Sequence, residues 1–571
     1  MRKLLSLIAF LLPVTIFAQT YDEPSAGNCA DPAAWQALGG DVHFTWADAD
    51  VHYDRCAVPD VAQRTDTTIV AWGGERVGFR GLLYSARKQG GNLTLNVKPA
   101  PAKGRAAAPA LQPRASWLRY VLTDSFSTCG YHPDSLAPYC VAEVVDLPGS
   151  AVRYSPCEVR PFWVSVEVPR DLPAGDYAFS LSLRGAKAKA LTFNVKVLDS
   201  QLPEPHDYAF HLDLWQQPYS VSRYYGVEPW SDAHFELLRP YMQELARLGQ
   251  KVVSAILFYE PWGQQSNDKF QAMIQTTHCA DGSWSYDYSV FDRWVEFMAS
   301  CGIDEQIDCY SMVPWDMTFC YYDEATEDSV SLKTTTDTPE YRDLWISYLR
   351  AFASHLREKG WFDKTCIAMD ERGLDDMLRA YHVAQYAVPG IRMTLAGNYH
   401  KELVDLLHDY AVAYGQTYGE GEVDARRARG QHSNFYTCCT DAHPGLFSNS
   451  NPVDATFIPL YCAAADFDGW LHWSWLNWTD DPLRDSRFFL FAPGDTYFYY
   501  PGPRSSLRHE RLLEGIQQYE KLVVKSANFS DETVKNCVEL ATLFRDITNC
   551  PAQRPDELAQ LLARFKAFVN R

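Results

Sequence analysis

Asp370 and Glu371 stand side by side in the segment CIAMDERGLDD, where a short apolar run gives way to a helix-like one. Two carboxyls at one point can divide acid–base work. One protonates a leaving oxygen while the other stabilises charge that develops beside it. The dipeptide alone carries little weight, because Asp-Glu occurs six times, beginning at 22, 304, 323, 370, 531 and 556. Position separates this copy. It closes the apolar run 366–369 and precedes a helical pattern from Leu374. The end of a strand that feeds a helix is where a parallel α/β barrel keeps its chemistry. Asp304-Glu305 lies ahead of its strand, at the opposite end. The bland alternative is that the 370–371 pair serves the N-terminus of the following helix.

The elements that must position this pair follow a linker-like Leu202-Pro203-Glu204-Pro205. Eight strand candidates come after it, at 210–215, 252–259, 306–312, 366–370, 393–398, 411–417, 434–439 and 470–475. Helical patterns alternate with them at 233–248, 290–300, 340–358, 374–386, 402–408, 455–465 (interrupted by Pro459) and 506–522, with a weak slot at 424–428. Such alternation predicts a (β/α)8 TIM-type barrel over 206–525, with C-terminal helices over 526–571 packed on it. The stretch 19–205 instead shows short β-branched or alternating runs at 67–71, 77–85, 93–97, 117–122, 162–168, 177–183 and 191–198. Turn residues separate them, which predicts an N-terminal β-sandwich.

Reading only the C-terminal ends of the barrel strands collects carboxylates, amides, phenols and indoles. Asp213 and Trp215 share one face of the first strand by period-two alternation. Asn398, Tyr414, Tyr418, Trp473, Trp475 and Asn477 complete the expected substrate-binding set around Asp370 and Glu371. Carboxylates ringed by aromatics point to glycoside hydrolysis, in which an acid protonates the leaving oxygen and apolar sugar faces stack on rings. No Gly-rich phosphate loop and no G-x-S-x-G elbow is present. Neighbouring carboxylates on a strand point to opposite sides, so this pair is not expected to flank one bond. It suits a different division: one residue protonates the leaving group, and the other orients a 2-acetamido group that attacks the anomeric carbon itself.

Composition narrows the partners. A formal charge of −20 argues against nucleic acid. The start MRKLLSLIAFLLPVTIFAQT predicts a signal peptide over 1–18, with no lipoprotein cysteine nearby. No later stretch predicts a transmembrane segment, so the expected location is periplasmic or extracellular. The 15 cysteines are scattered, and no metal or other cofactor is expected. Cys438-Cys439 with His432 and His443 matches no usual metal spacing, and a wall or a vicinal disulfide is the better reading of that pair. The sequence sets no oligomeric state.

Several segments together resemble glycoside hydrolase family 123, the exo-acting β-N-acetylgalactosaminidases. They are TIVAWGGERVGFRGLLYS and VSVEVPRDLPAGDY in the β region, FHLDLWQQPYSVSRYYGV at the barrel start, the Asp370-Glu371 strand, NFYTCC, GWLHWSWLNWTDDPLRDSRF and GDTYFYYPGPRSSLRHERLLEGIQQYEKL. The resemblance implies that Asp370, ionised, polarises the acetamido group, that Glu371 acts first as acid and then as base, and that configuration is retained through an oxazoline-like intermediate. It also implies terminal GalNAc on oligosaccharides or glycolipid-type glycans, and a tyrosine at the acetamido carbonyl, for which Tyr414 and Tyr418 are the candidates. Two other readings stay open. One is a glycosidase acting on β-GlcNAc or a neutral hexose with a conventional pair, Glu260 or Glu420 serving as nucleophile. The other is a barrel that only binds glycans.

Overall fold

The computed structural model describes residues 22–25, 30–87, 91–100, 111–126, 128–130, 133, 136–528, 538–549 and 554–571. The expected signal peptide lies outside these residues. The N-terminal part is β-rich. One five-stranded sheet runs His43–Ala47, Arg76–Ser85, Glu158–Glu167, Arg114–Thr123, Tyr139–Val145 in spatial order. The other runs Asp66–Gly73, Leu191–Gln201, Gly175–Arg184, Asn92–Pro99, Val152–Arg153. Alternation decides which side chains meet. Strand Leu191–Gln201 buries Leu191, Phe193, Val195 and Val197 on one face. There Phe193 packs 5.1 Å from Phe79 and 5.8 Å from Trp46 of the other sheet, so the two sheets share one core. All seven expected strands overlap observed ones; His43–Ala47, Tyr139–Val145 and the short Val152–Arg153 were not expected.

The barrel strands are β1 (His211–Leu214), β2 (Val252–Ile256), β3 (Gln306–Tyr310), β4 (Thr365–Asp370), β5 (Arg392–Gly397), β6 (Asp409–Ala413), β7 (His432–Thr437) and β8 (Gly469–His472). Each expected strand overlaps one of them. From β2 to β8, and from β8 to β1, every neighbour pairs in parallel. The remaining seam, β1 to β2, carries a parallel bridge between Leu212 and Gln250 and a bond from Lys251 N–H to Leu212 O at 3.0 Å. The ring is thus nearly closed. All residues of β1, β2, β3 and β8 are buried, as expected of parallel strands covered by helices outside and side chains within.

Helices occupy most of the expected slots. Pro339–Lys359 shows how: Thr338 caps its N-terminus through the Tyr341 N–H, Pro339 sits at its first turn, and Gly360 ends it at φ 73°. Between β5 and β6 the expected helix at 402–408 is only the 3-10 turn Lys401–Leu403, because the connection is too short for a longer helix. The stretch 323–336 carries a strand. Asp328–Lys333 is the edge of a four-stranded sheet with Thr318–Asp323, Gln275–His278 and Trp284–Asp287, raised from the connections after β2 and β3.

The long helix Leu507–Asn528 and the segment before it tie the barrel to the β-rich part through buried ion pairs. Arg508 meets Glu143 at 2.6 Å, Lys521 meets Glu75 at 2.8 Å and Arg504 meets Asp146 at 3.0 Å. A disulfide, Cys129–Cys439, joins the same two parts across 310 residues of chain. Helices Val538–Thr548 and Pro555–Val569 follow. Among the described residues, no helix is long and apolar enough to cross a membrane.

Candidate active site

A cavity of about 640 Å³ opens at the C-terminal ends of the barrel strands and contains Asp370 and Glu371. Its size suits a small-molecule or sugar ligand. The local backbone explains why both carboxylates face it. Asp370 is the last residue of β4, whereas Glu371 turns out of the strand with φ at 42°, held by its N–H to Ala396 O at 2.8 Å. A non-glycine residue in that left-handed region is strained, and such strain persists where the surroundings impose it. The expectation of opposite directions assumed a continuing strand; the kink at Glu371 replaces it. Nor does the pair cap the next helix. Gly373 is the N-cap of Leu374–Ala387, and its first-turn acids are Asp375 and Asp376.

Each carboxylate has a specific donor. Trp315 Nε1 donates to Asp370 Oδ2 at 3.2 Å, and Tyr436 donates its hydroxyl to Glu371 Oε1 at 2.6 Å. Arg372 holds the chain beside them, with Nε donating to Asp370 O at 3.0 Å and its guanidinium 3.8 Å above the Trp315 ring. Burial, and then the charge of Glu371, pushes the Asp370 carboxyl up to about 7. That differs from the expectation of an ionised Asp370, because burial and the neighbouring carboxylate both oppose its charge. Burial and Glu371 also push the Tyr436 phenol well above its usual range, so it remains a donor.

Four of the expected substrate-binding residues, Trp215, Asn398, Tyr414 and Trp473, line the cavity with the pair. The other four do not. Asp213 lies one layer deeper in the barrel, where its Oδ2 accepts the Trp215 indole N–H at 3.3 Å. Tyr418 turns behind β6 and donates to Tyr410 O at 2.5 Å, with Arg426 over its ring. Trp475 and Asn477 are buried past the end of β8, where strand alternation no longer applies. Trp475 stacks on Tyr499 at 5.2 Å, and Asn477 Oδ1 accepts the Asn267 N–H at 3.2 Å.

The rival nucleophiles also lie elsewhere. Both Glu260 oxygens are taken by backbone N–H groups, from Phe270 and from Gln264, so it shapes the 260–270 loop. Glu420 is exposed on a loop outside the cavity. Asp441 is a third carboxylate in the cavity that sequence reasoning missed, and its Oδ2 accepts the Cys438 N–H at 2.8 Å. Tyr436 was missed too, although it lies within the expected strand 434–439; that Asn434, two residues earlier, points into the barrel and bonds Asp409 at 2.6 Å is known only from the structure. Trp262 likewise lines the cavity, stacked 5.0 Å from Trp215. Cys439 pairs with Cys129, not with Cys438, so the vicinal-disulfide alternative is replaced; both pairing partners and Cys438 form part of the wall.

No metal set forms from Cys438, Cys439, His432 and His443, because His432 begins β7 while the cysteines follow its other end. A different trio, His211, Glu305 and His432, gathers at the floor of the barrel. Its imidazoles stack face to face at 4.0 Å and 14°, which does not aim two lone pairs at one ion, and Lys251 already pairs with Glu305 at 3.1 Å. His211 instead serves a buried network through Asp409 at 2.9 Å.

Comparison with known proteins agrees with this fold. The family model for the glycoside hydrolase 123 catalytic domain matches residues 215–524, and that for the family's N-terminal domain matches 46–185. A family 123 glycoside hydrolase from Clostridium perfringens, described for glycolipid glycan hydrolysis, has a similar fold: TM-score 0.83, 23% identity, 93% of this chain and 97% of that chain covered. A Bacteroides ovatus GH5 xyloglucanase aligns over 83% of this chain and 99% of its own at 8% identity, but its TM-score of 0.28 carries no argument. No curated protein matches in sequence. With its catalytic-domain model spanning more than half of the residues, the chain belongs to glycoside hydrolase family 123.

Proposed function

We propose that this protein is a retaining exo-β-N-acetylgalactosaminidase that uses the substrate's own acetamido group as nucleophile. The observation that carries this reading is the pairing of Asp370 and Glu371 on one kinked strand end, facing one aromatic-walled cavity, with Glu260 and Glu420 outside it. Glu371 donates a proton to the glycosidic oxygen as the acetamido carbonyl oxygen attacks the anomeric carbon and the C–O bond breaks. Asp370 accepts the acetamido N–H and stabilises the positive charge of the oxazolinium-like intermediate. Glu371, now a carboxylate, takes a proton from the water that opens the ring, and the configuration is retained. Tyr436 orients Glu371, and Tyr414, which also lines the cavity, is the phenol proposed to serve the acetamido carbonyl. Glycolipid-type glycans are the proposed substrates, on the analogy of the Clostridium perfringens enzyme. Export to the periplasm or beyond is proposed from the signal-like start, and the Cys129–Cys439 disulfide supports it.

Asp441 supports one second reading, a conventional nucleophile, since it is the remaining carboxylate in the cavity. Hydrolysis of aryl β-GalNAc, β-GlcNAc and β-Gal by the wild type, Asp370→Asn and Asp441→Asn decides between them. Activity on β-GalNAc alone, abolished by Asp370→Asn, supports the acetamido-assisted route. Activity on β-Gal that depends on Asp441 would replace it.

A further inference from the structure

Asp495 is a buried carboxylate that the chemistry above leaves unused. It is 1% exposed, and the one hydrogen bond its side chain accepts among the described residues comes from Trp473 Nε1, at 3.1 Å to Oδ2. His472 Nε2 bonds the backbone oxygen of Asp495 at 2.9 Å and lies 3.9 Å from its Oδ1, beyond hydrogen-bond reach. Arg508, whose charge reaches Asp495, is bonded to Glu143 at 2.6 Å. Burying a carboxylate without a bonded cation is costly, so a lone indole partner needs a reason.

Trp473 supplies one. Its ring lines the cavity, and Phe491 packs edge-on against it at 4.8 Å and 61°. An indole has a single donor, and bonding it fixes the ring's rotation about its side-chain torsions. The arrangement recurs around the same cavity: Asp213 holds the Trp215 indole at 3.3 Å and Asp370 holds that of Trp315 at 3.2 Å.

Resting on the glycosidase reading above, we infer that Asp495 is a positioning residue that fixes the Trp473 indole as a platform for the apolar face of the bound sugar. Loss of the acceptor lets the ring turn, so binding suffers more than chemistry.

The test is a double-mutant cycle, run on whichever aryl β-glycoside the wild type turns over fastest, so that a wrong choice of GalNAc does not affect it. Asp495→Leu should raise KM five- to tenfold, by more than it lowers kcat. Asp495→Asn, which keeps an acceptor oxygen, should recover most of that loss. Trp473→Phe, which removes only the donor end of the ring system, should raise KM similarly, and adding Asp495→Leu to it should change KM less than twofold further. Equal KM increases from Asp495→Leu with and without the indole, or no recovery in Asp495→Asn, would overturn the proposal. If Asp495→Leu does not fold, Asp495→Ala, which also removes the acceptor, takes its place in the same cycle with the same expected and overturning outcomes.

Discussion

Tyr436 on β7 and Glu371 just past the end of β4 are 65 residues apart and meet in a hydrogen bond of 2.6 Å at the mouth of the barrel. The bond orients the proposed acid–base residue before any substrate arrives. Tyr436→Phe should therefore lower kcat/KM by about 10- to 100-fold, the range for a hydrogen bond to a charged or charge-developing group. Tyr418→Phe, whose hydroxyl serves a backbone carbonyl behind β6, should leave kcat and KM within about twofold on the same substrate. Steady-state kinetics of the two variants side by side checks the assignment.

Glu371→Gln should separate substrates by leaving group. Removing a general acid costs about 10²- to 10⁴-fold on a poor leaving group, and much less on an activated aryl glycoside whose departing oxygen needs no proton. Comparing a p-nitrophenyl glycoside with an oligosaccharide measures the gap. Equal losses on both would remove Glu371 from the acid role.

Asp370 predicts a stability effect with a defined sign. Its carboxyl is pushed from an ordinary 3.8 up to about 7, chiefly by burial. The folded state thus holds this proton more tightly than the unfolded chain does. The associated stability is fully present below about pH 4 and is lost as pH rises through about 7. Asp370→Asn, neutral at every pH, should have a higher Tm than the wild type at pH 8, by about 2–4 °C, with the difference vanishing near pH 4. Thermal denaturation at both values is the check; a destabilised variant at pH 8 would contradict the burial argument.

The Arg508–Glu143 pair, buried between helix Leu507–Asn528 and the β-rich part, predicts coupling of the two. Glu143→Ala leaves an uncompensated buried guanidinium and should cost about 3–5 kcal/mol, whereas Glu143→Leu with Arg508→Met should recover much of that loss. Urea unfolding of the single and double variants reads the difference.

How far each feature could be read from the chain depended on whether its cause is local. The strand and helix pattern of the barrel is local periodicity, and every expected barrel strand overlaps an observed one. Asp370 and Glu371 were legible because a polar pair closing an apolar strand before a helix is a local pattern. Trp215, Asn398, Tyr414 and Trp473 could be found by reading strand ends. Alternation failed where strands stopped: Trp475 and Asn477 lie beyond β8, which ends at His472, and their directions are set by loop packing. Tertiary structure alone decided the rest. The kink at Glu371 depends on Ala396 of the neighbouring strand, Cys439 chose a partner 310 residues away, and Asp495 reached the Trp473 indole through a loop. Sequence by itself thus determined the kinds of element and the chemistry available at their ends. Which groups meet was settled only when the ring closed, because contacts between distant segments depend on the relative placement of whole elements, which no local pattern encodes.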